Sequence, residues 1–404
     1  MKTKVFDLYT ARQKVLDSCV LLDTEKLSIE KASEKILAVD VYAKYNVPLF
    51  DKSPLDGYAF RAEDTKEADT KDVTLTVMEE IPAGGYSNKT LKAGCAVKIL
   101  TGAPIPKGAN AVAKYEETSY ESGYVTLHRS YQPGENIIYE GEDVKKDDVI
   151  TLCGTRIDSA VHGMLASQGI HEVEVYKTPL VGIISQGNEI LEPGEPLSAG
   201  KIYNSNRYMI GTALKQEDFP SIYLGTVEDD EQKIAEILKL AVSMYEAVIM
   251  TGGVSVGTYD YTKSALERAG AEILVDKITM KPGSSCCLAI LDGVPVFGLS
   301  GNPAAAMTTF YLVAMPALKK LSGLREYLPE KITVELDSDY GKKSPNMRIL
   351  KGKLMLGDGV ARMRLNEQQA NGSVSAMRGA DVFAIVPAGS GPLKKGTLLE
   401  AYVL

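Results

Sequence analysis

Between Leu180 and Gly323 four short apolar runs, Leu180 to Ile184, Ser221 to Leu224, Ala247 to Met250 and Pro295 to Leu299, alternate with segments of helical spacing. Runs without polar alternation are buried on both faces, the pattern of a parallel sheet covered by helices, so the spacing predicts a doubly wound α/β domain. In such a sheet the ligand lies beyond the carboxyl ends of the strands, which directs attention to the residues following each run. One run, Val248 onwards, empties into Thr251-Gly-Gly-Val-Ser-Val-Gly257 ahead of a helix from about Thr258 that carries Asp260 in its first turn. Gly252 and Gly253 permit positive φ and close backbone approach, and the unpaired N–H groups at the helix start attract an anion.

With 404 residues the chain exceeds one ordinary core, and the pattern changes on either side of the α/β segment. Helical spacing runs from Val5 to Cys19, and a second helix is predicted from Ser28 to Ala38, with Ser28 as its cap. Short strands between Gly, Pro and Asn follow: Val73 to Val77, Ala96 to Leu100, Ala111 to Ala113 and Tyr124 to Leu127. A short helix from Asp158 to Gln168 and a strand through Val173 and Val175 lead into the α/β segment. Beyond Gly323 apolar residues alternate with period two through Ile332 to Leu336, Met347 to Leu350, Val360 to Leu365, Asp381 to Val386 and Leu398 to Leu404, which predicts a small barrel. The expected architecture is therefore α/β and β multidomain. It comprises a helical and linker domain of residues 1–27 with 145–178, a β-rich domain of 28–144, the doubly wound α/β domain of 179–325, and a C-terminal β-barrel of 326–404.

Composition removes several function classes. A net charge of −8 is unsuited to a broad nucleic-acid surface, so any anion must be held locally. No stretch approaches the ~20 apolar residues of a membrane span, and the N-terminus lacks the features of a signal peptide, so no membrane and a cytoplasmic location are expected. Five cysteines without a C-x-x-C pair point to free thiols, and three scattered histidines offer no zinc cluster. A bound metal is expected to be a hard ion held by oxygen.

The strand ends supply such oxygens. Ser185-Gln-Gly-Asn-Glu189, Gly225-Thr-Val-Glu-Asp-Asp230 and Ser300-Gly-Asn-Pro303 follow three of the runs, and Asp260 follows the fourth. Asn302-Pro303 reads as a helix cap and first position, and Asp229 and Asp230 suit the dipole of the helix that begins at Glu231. Their convergence with Glu189 and Asp260 adds a functional reading: acids beside an anion-binding turn repel the anion unless they hold a divalent cation such as Mg2+. Lys277 and Lys281, four apart in Lys277-Ile-Thr-Met-Lys-Pro-Gly283, fit an extended segment entering a turn better than a helix face. Cys286 and Cys287 read as a buried, inert pair. In the β-rich domain, Asp51-Lys-Ser-Pro-Leu-Asp-Gly-Tyr58, Thr101-Gly-Ala-Pro-Ile-Pro106 and Glu140-Gly-Glu-Asp143 are accounted for by turn chemistry alone.

Taken in order, Ser53 to Ala59, Thr101 to Pro106, Gly141 to Asp143, Asn204 to Asn206, Thr251 to Gly257 with Tyr259-Asp260, Lys281 to Gly283 and Gly301 to Pro303 resemble the MoeA and gephyrin E-domain family of molybdopterin molybdenumtransferases along essentially the whole chain. The resemblance implies a four-domain homodimer with a shared active site. Its substrates are adenylated molybdopterin (molybdopterin-AMP) and molybdate, AMP is released with the help of Mg2+, and transfer to the adenylyltransferase or to molybdoenzymes is implied. It further implies that Gly252, Gly253, Ser255, Gly257, Gly283, Ser300, Gly301 and Asn302 bind the pterin and its phosphates. Glu189, Asp229 and Asp260 would hold Mg2+ or polarise water, and Lys277 and Lys281 would stabilise oxyanions. Asp56, Thr101 and Asp143 would reach in from the second copy, the acids for proton transfer or metal handling and the threonine as hydrogen-bond donor.

The chain departs from the family pattern at Gln186 and Asn188, where threonine and aspartate are usual, at Ser284 and Ser285 in place of Lys-Pro, at Ser300 in place of proline, and at Asn371 in place of serine. Two alternatives to the enzyme therefore stay open: a paralogue that binds molybdopterin as scaffold or carrier, and a tungsten-inserting variant.

Overall fold

Strands Val181–Gln186 and Ala247–Thr251 are buried along their whole length and lie side by side in a seven-stranded sheet. The structure, a computed structural model, describes residues 4–254 and 261–404, which fall into two compact units. The first comprises the residues up to Ala38, Cys153–Ile157 and Val173–Leu404; the second comprises Val39–Leu152 and Asp158–Glu172.

In the first unit the sheet order is Val5–Phe6, Glu272–Ile278, Ser285–Leu291, Val294–Leu299, Ala247–Thr251, Val181–Gln186, Ser221–Val227. The last four strands are parallel, as the covered apolar runs predict. An antiparallel hairpin extends them: Asp292 and Gly293 both adopt positive φ (50° and 83°), the combination a two-residue hairpin turn requires, and Ser285–Leu291 pairs antiparallel with both neighbours. Period-two alternation sends Ile183, Ile249 and Phe297 to one face and Ile184, Val248, Met250 and Val296 to the other. Helices Leu8–Ser18 and Asn206–Gln216 cover the first face through Leu8, Leu16, Ile210 and Leu214. Helices Glu231–Val242 and Tyr261–Ala269 cover the second through Ile234 with Leu238 and Ala265 with Ala269, each pair four apart. Each fully buried leucine or isoleucine contributes about 1.5–3 kcal/mol, so these two layers hold the strand ends in place.

The helix predicted from Ser28 to Ala38 is absent. Thr24–Ser28 and Ile36–Leu37 are strands on either side of Glu172–Tyr176, with one 3-10 turn at Ile29–Lys31 between them. Ser28 makes no side-chain cap bond, and Glu34 sits at φ 62°, a left-handed conformation that a helix cannot continue through. Pairing of Leu37 with Val175 and Ile36 with Tyr176 overrides the local helical spacing.

At the C-terminus Lys331–Leu336, Val360–Leu365, Met347–Gly357, Val382–Val386 and Leu398–Val403 pair in that order and return to the first strand, closing the predicted barrel around Val334, Leu336, Leu350 and Met363.

The second unit is built on a six-stranded sheet in the order Ala111–Lys114, Gly57–Phe60, Cys95–Ile99, Val73–Ile81, Tyr124–Leu127, Thr118–Glu121. A Cβ at Gly57 would stand 1.8 Å from the Ala113 carbonyl oxygen, so the glycine after Asp56 is required by strand packing as well as by the turn. Helix Ser159–Ser167 and the pair Val41–Tyr42 with Val149–Thr151 complete it.

Candidate functional site

The strand Ala247–Thr251 ends in two glycines at positive φ, Gly252 at 101° and Gly253 at 67°. Their conformation is matched by crowding: a Cβ at Gly252 would stand 2.2 Å from the Gln186 carbonyl oxygen, and one at Gly253 would stand 2.1 Å from the Gln186 side-chain amide. The turn is anchored by the Gly252 N–H, which donates to the Leu299 carbonyl at 3.0 Å. It forms one wall of a cavity of about 560 Å3 that Gln186, Glu189, Asn204, Asn206, Ser300, Gly301 and Asn302 also line. Gly301 backs directly onto Gly252, whose Cα would lie 3.6 Å from a Cβ there. The predicted Ser255, Gly257 and Asp260 lie outside the described residues.

Glu189 lines this cavity and an adjoining one of about 350 Å3, where Asn188, Asp229, Gly253 and Tyr261 join it. Asp229 Oδ1 accepts from Gln186 Nε2 at 2.9 Å, and the Asp229 N–H donates to Asn188 Oδ1 at 3.3 Å. Asp230 is a helix cap: its Oδ1 accepts the N–H groups of Gln232 and Lys233. The structure thus brings Glu189 and Asp229 to the glycine turn and turns Asp230 to the helix. Among the described residues no group of three His, Cys, Asp or Glu side chains is placed to hold a metal. Two carboxylates on one cavity suit a hydrated Mg2+, which keeps several waters and takes one or two protein carboxylates.

Asn302 occupies the cap position of Pro303–Thr309, but its side chain makes no capping bond, contrary to the expected role. The carbonyl of Asn371 replaces it, accepting from Ala304 and Ala305 at 3.0 and 3.3 Å. This brings the loop between barrel strands to the cavity, where Gly372 and Val374 are lining residues. Ser300 Oγ accepts the Asn302 N–H at 3.2 Å, which fixes the turn between them.

Lys277 and Lys281 lie in extended segments, Glu272–Ile278 and Met280–Lys281, as predicted. Neither is among the described residues lining the two cavities, although Ser285, the register partner of Lys277, lines the larger one. Gly283 turns the chain between Met280–Lys281 and Ser285–Leu291 at φ 93°, packed so that a Cβ would meet Met280 Cε and Thr309 Oγ1 at 2.7 Å. Glu189 is the one charged side chain among the described residues that line the larger cavity.

Asp56, Thr101 and Asp143 belong to the second unit and are exposed. Asp56 Oδ1 accepts both the backbone N–H and the hydroxyl of Thr101 at 2.7 Å, and these bonds, the backbone one foremost, hold its carboxyl below the usual carboxylate range. Asp143 donates its N–H to the Val47 carbonyl at 3.0 Å.

Two asparagines acquire a role that spacing alone did not reveal. Asn204 Nδ2 donates to Ser185 Oγ and Glu192 Oε1, both at 2.9 Å, tying the strand end to the loop beyond it. Asn206 Nδ2 donates to the Gly301 carbonyl at 2.9 Å, while its Oδ1 is buried without a partner among the described residues. A buried acceptor of this kind in a cavity wall is suited to a ligand N–H or O–H.

A family model described as the MoeA N-terminal region (domain I and II) matches residues 6–169, and one described as a probable molybdopterin binding domain matches residues 182–320. The chain is 35% identical to a molybdopterin molybdenumtransferase of Staphylococcus epidermidis over 391 residues, 96% of this chain and 93% of the relative. It is as similar to one from Staphylococcus aureus, with the same coverage. Among solved structures it resembles the molybdopterin biosynthesis MoeA protein of Pyrococcus horikoshii at 31% identity and a TM-score of 0.84, over 99% of this chain and 100% of that one.

Proposed function

Because the chain belongs to the MoeA family of molybdopterin molybdenumtransferases, enzymes of molybdenum cofactor biosynthesis, we propose that its glycine-turn cavity takes adenylated molybdopterin and molybdate and releases AMP as the metal joins the dithiolene sulfurs. The observation that carries this reading is the placement of Gly252 and Gly253 beside Glu189 and Asp229 on adjoining cavities. An anion-accepting turn next to two acids calls for a phosphate and a cation together.

Gly252, Gly253, Ser300, Gly301 and Asn302, with Ser255 and Gly257, surround the phosphates with N–H and hydroxyl donors, and Gly283 shapes the neighbouring turn. Asn206 Oδ1 accepts a pterin N–H, in keeping with its lack of any other partner among the described residues. Glu189, Asp229 and Asp260 would hold Mg2+, which supplies charge neutralisation on the adenylate as AMP departs. Lys277, the register partner of Ser285, and Lys281 supply positive charge to molybdate and the leaving phosphate. Asp56, Thr101 and Asp143 complete the site from a second copy in a homodimer. There Asp56, whose bonds to Thr101 hold its carboxyl below the usual carboxylate range, serves with Asp143 in proton transfer or metal handling.

Purified protein incubated with adenylated molybdopterin, Mg2+ and molybdate is expected to release AMP. Absence of AMP with either molybdate or tungstate would overturn the assignment.

A further inference from the structure

The two departures at Gln186 and Asn188 converge on one residue. Gln186, 2% exposed at the end of strand Val181–Gln186, donates from Nε2 to Asp229 Oδ1 at 2.9 Å, and Asn188 Oδ1 accepts the Asp229 N–H at 3.3 Å. Asp229 is thereby held at its carboxylate and its backbone by two neutral amides.

The same Gln186 amide packs against the glycine turn and reaches it through Thr262. Its Oε1 accepts from Thr262 Oγ1 at 2.9 Å, and that hydroxyl also approaches the Gly252 carbonyl at 3.2 Å. A carboxylate accepts only, so Nε2 must face Asp229 and Oε1 must face Thr262; the partners fix which way the amide points. The overlaps that a Cβ at Gly252 or Gly253 would make are both with Gln186. One buried side chain therefore connects the strand end, the loop before helix Glu231–Val242, the glycine turn and the first turn of helix Tyr261–Ala269.

We propose that Gln186 is a positioning residue for cation binding: it sets the direction of the Asp229 carboxylate and locks that direction to the Gly252–Gly253 turn. The anion-holding and cation-holding parts of the site then form one preorganised piece. A hydrogen bond from a buried amide to a carboxylate is among the stronger neutral-to-charged bonds, and losing it frees the acid to rotate. This inference rests on the assignment of Glu189 and Asp229 to Mg2+.

The test titrates full-length protein with Mn2+, a stand-in that takes the same oxygen ligands, and follows the free-ion EPR signal. Gln186→Met keeps the length of the side chain and removes both hydrogen bonds; its Mn2+ Kd should rise about tenfold. The Mg2+ concentration for half-maximal AMP release should rise by a similar factor, with kcat at saturating Mg2+ within about threefold of the wild type. Thr262→Val, which removes the bond to Oε1 and the approach to the Gly252 carbonyl but leaves the bond to Asp229 in place, should shift the Kd in the same direction by a smaller factor, and it carries the test should Gln186→Met not fold. A Kd unchanged in both variants, or in Thr262→Val alone where Gln186→Met does not fold, would overturn the role of Gln186, even if melting temperature or kcat falls. Wild-type protein that binds no Mn2+ would instead overturn the cation assignment beneath it.

Discussion

Gly253 lies so close to Gln186 that a Cβ on the glycine would stand 2.1 Å from the glutamine amide nitrogen, while its φ of 67° already disfavours any other residue. Gly253→Ala therefore meets a steric and a conformational penalty together, about 2–4 kcal/mol. Thermal unfolding should show a lowered midpoint and AMP release should fall at least tenfold; a variant with wild-type stability and activity would show that the turn yields freely.

Asn206 is the buried cavity acceptor without a partner among the described residues, so its contribution is expected in binding more than in the chemical step. Asn206→Leu should raise KM for adenylated molybdopterin about tenfold or more, with kcat changed by less than about threefold. Steady-state kinetics decides this, since a fall confined to kcat would place the side chain at the reacting atoms.

Lys351 is fully buried, on the face of strand Met347–Gly357 shared by Ile349 and opposite Leu350 of the barrel interior. Its Nζ donates to the Gln369 carbonyl at 3.3 Å, and burial first, then the charge of Arg348, pushes its pKa down from 10.5 to about 8. The unfolded chain binds more protons between those values, so this group makes stability rise as pH climbs from about 8 to 10.5, with its penalty fully present below about 8. Lys351→Met should remove that pH dependence and stabilise the protein at pH 7 by about 3 kcal/mol at most, measured by urea unfolding at pH 7 and at about pH 10.5.

If Asp56 and Asp229 meet only across two copies, two inactive variants complement each other. Equal amounts of Asp56→Ala and Asp229→Asn, exchanged under mild denaturant, should recover roughly a quarter of wild-type AMP release, because half the dimers carry one intact site. No recovery, with exchange verified by mass spectrometry of the intact dimer, would place a complete site within one chain.

Much of this arrangement was legible before the structure, and the exceptions share a cause. Period-two alternation marked the barrel strands, and the covered apolar runs marked the parallel half of the sheet, because each pattern is local. The hairpin at Asp292-Gly293 was not anticipated, although Asp-Gly is the pair such a turn favours. The stretch from Ser28 to Ala38 misled because Ile29, Ala32 and Ile36 mimic helical spacing while the strand that pairs with Ile36 and Leu37, Glu172–Tyr176, lies far along the chain. The glycines at 252 and 253 announced a special turn, but nothing near them named Gln186 as the group they accommodate. Asn371 acts on Ala304 through its backbone carbonyl, which has no signature in any side chain.

The most direct measurement is molybdate-dependent AMP release by Glu189→Gln/Asp229→Asn, which removes the two charges that the described residues place on the smaller cavity while keeping near-identical shapes. At saturating adenylated molybdopterin and Mg2+ the rate should fall at least a hundredfold, the order expected when charge stabilisation at a reacting phosphate is lost. A folded double variant that releases AMP at the wild-type rate would contradict the placement of the reaction beside the Gly252–Gly253 turn.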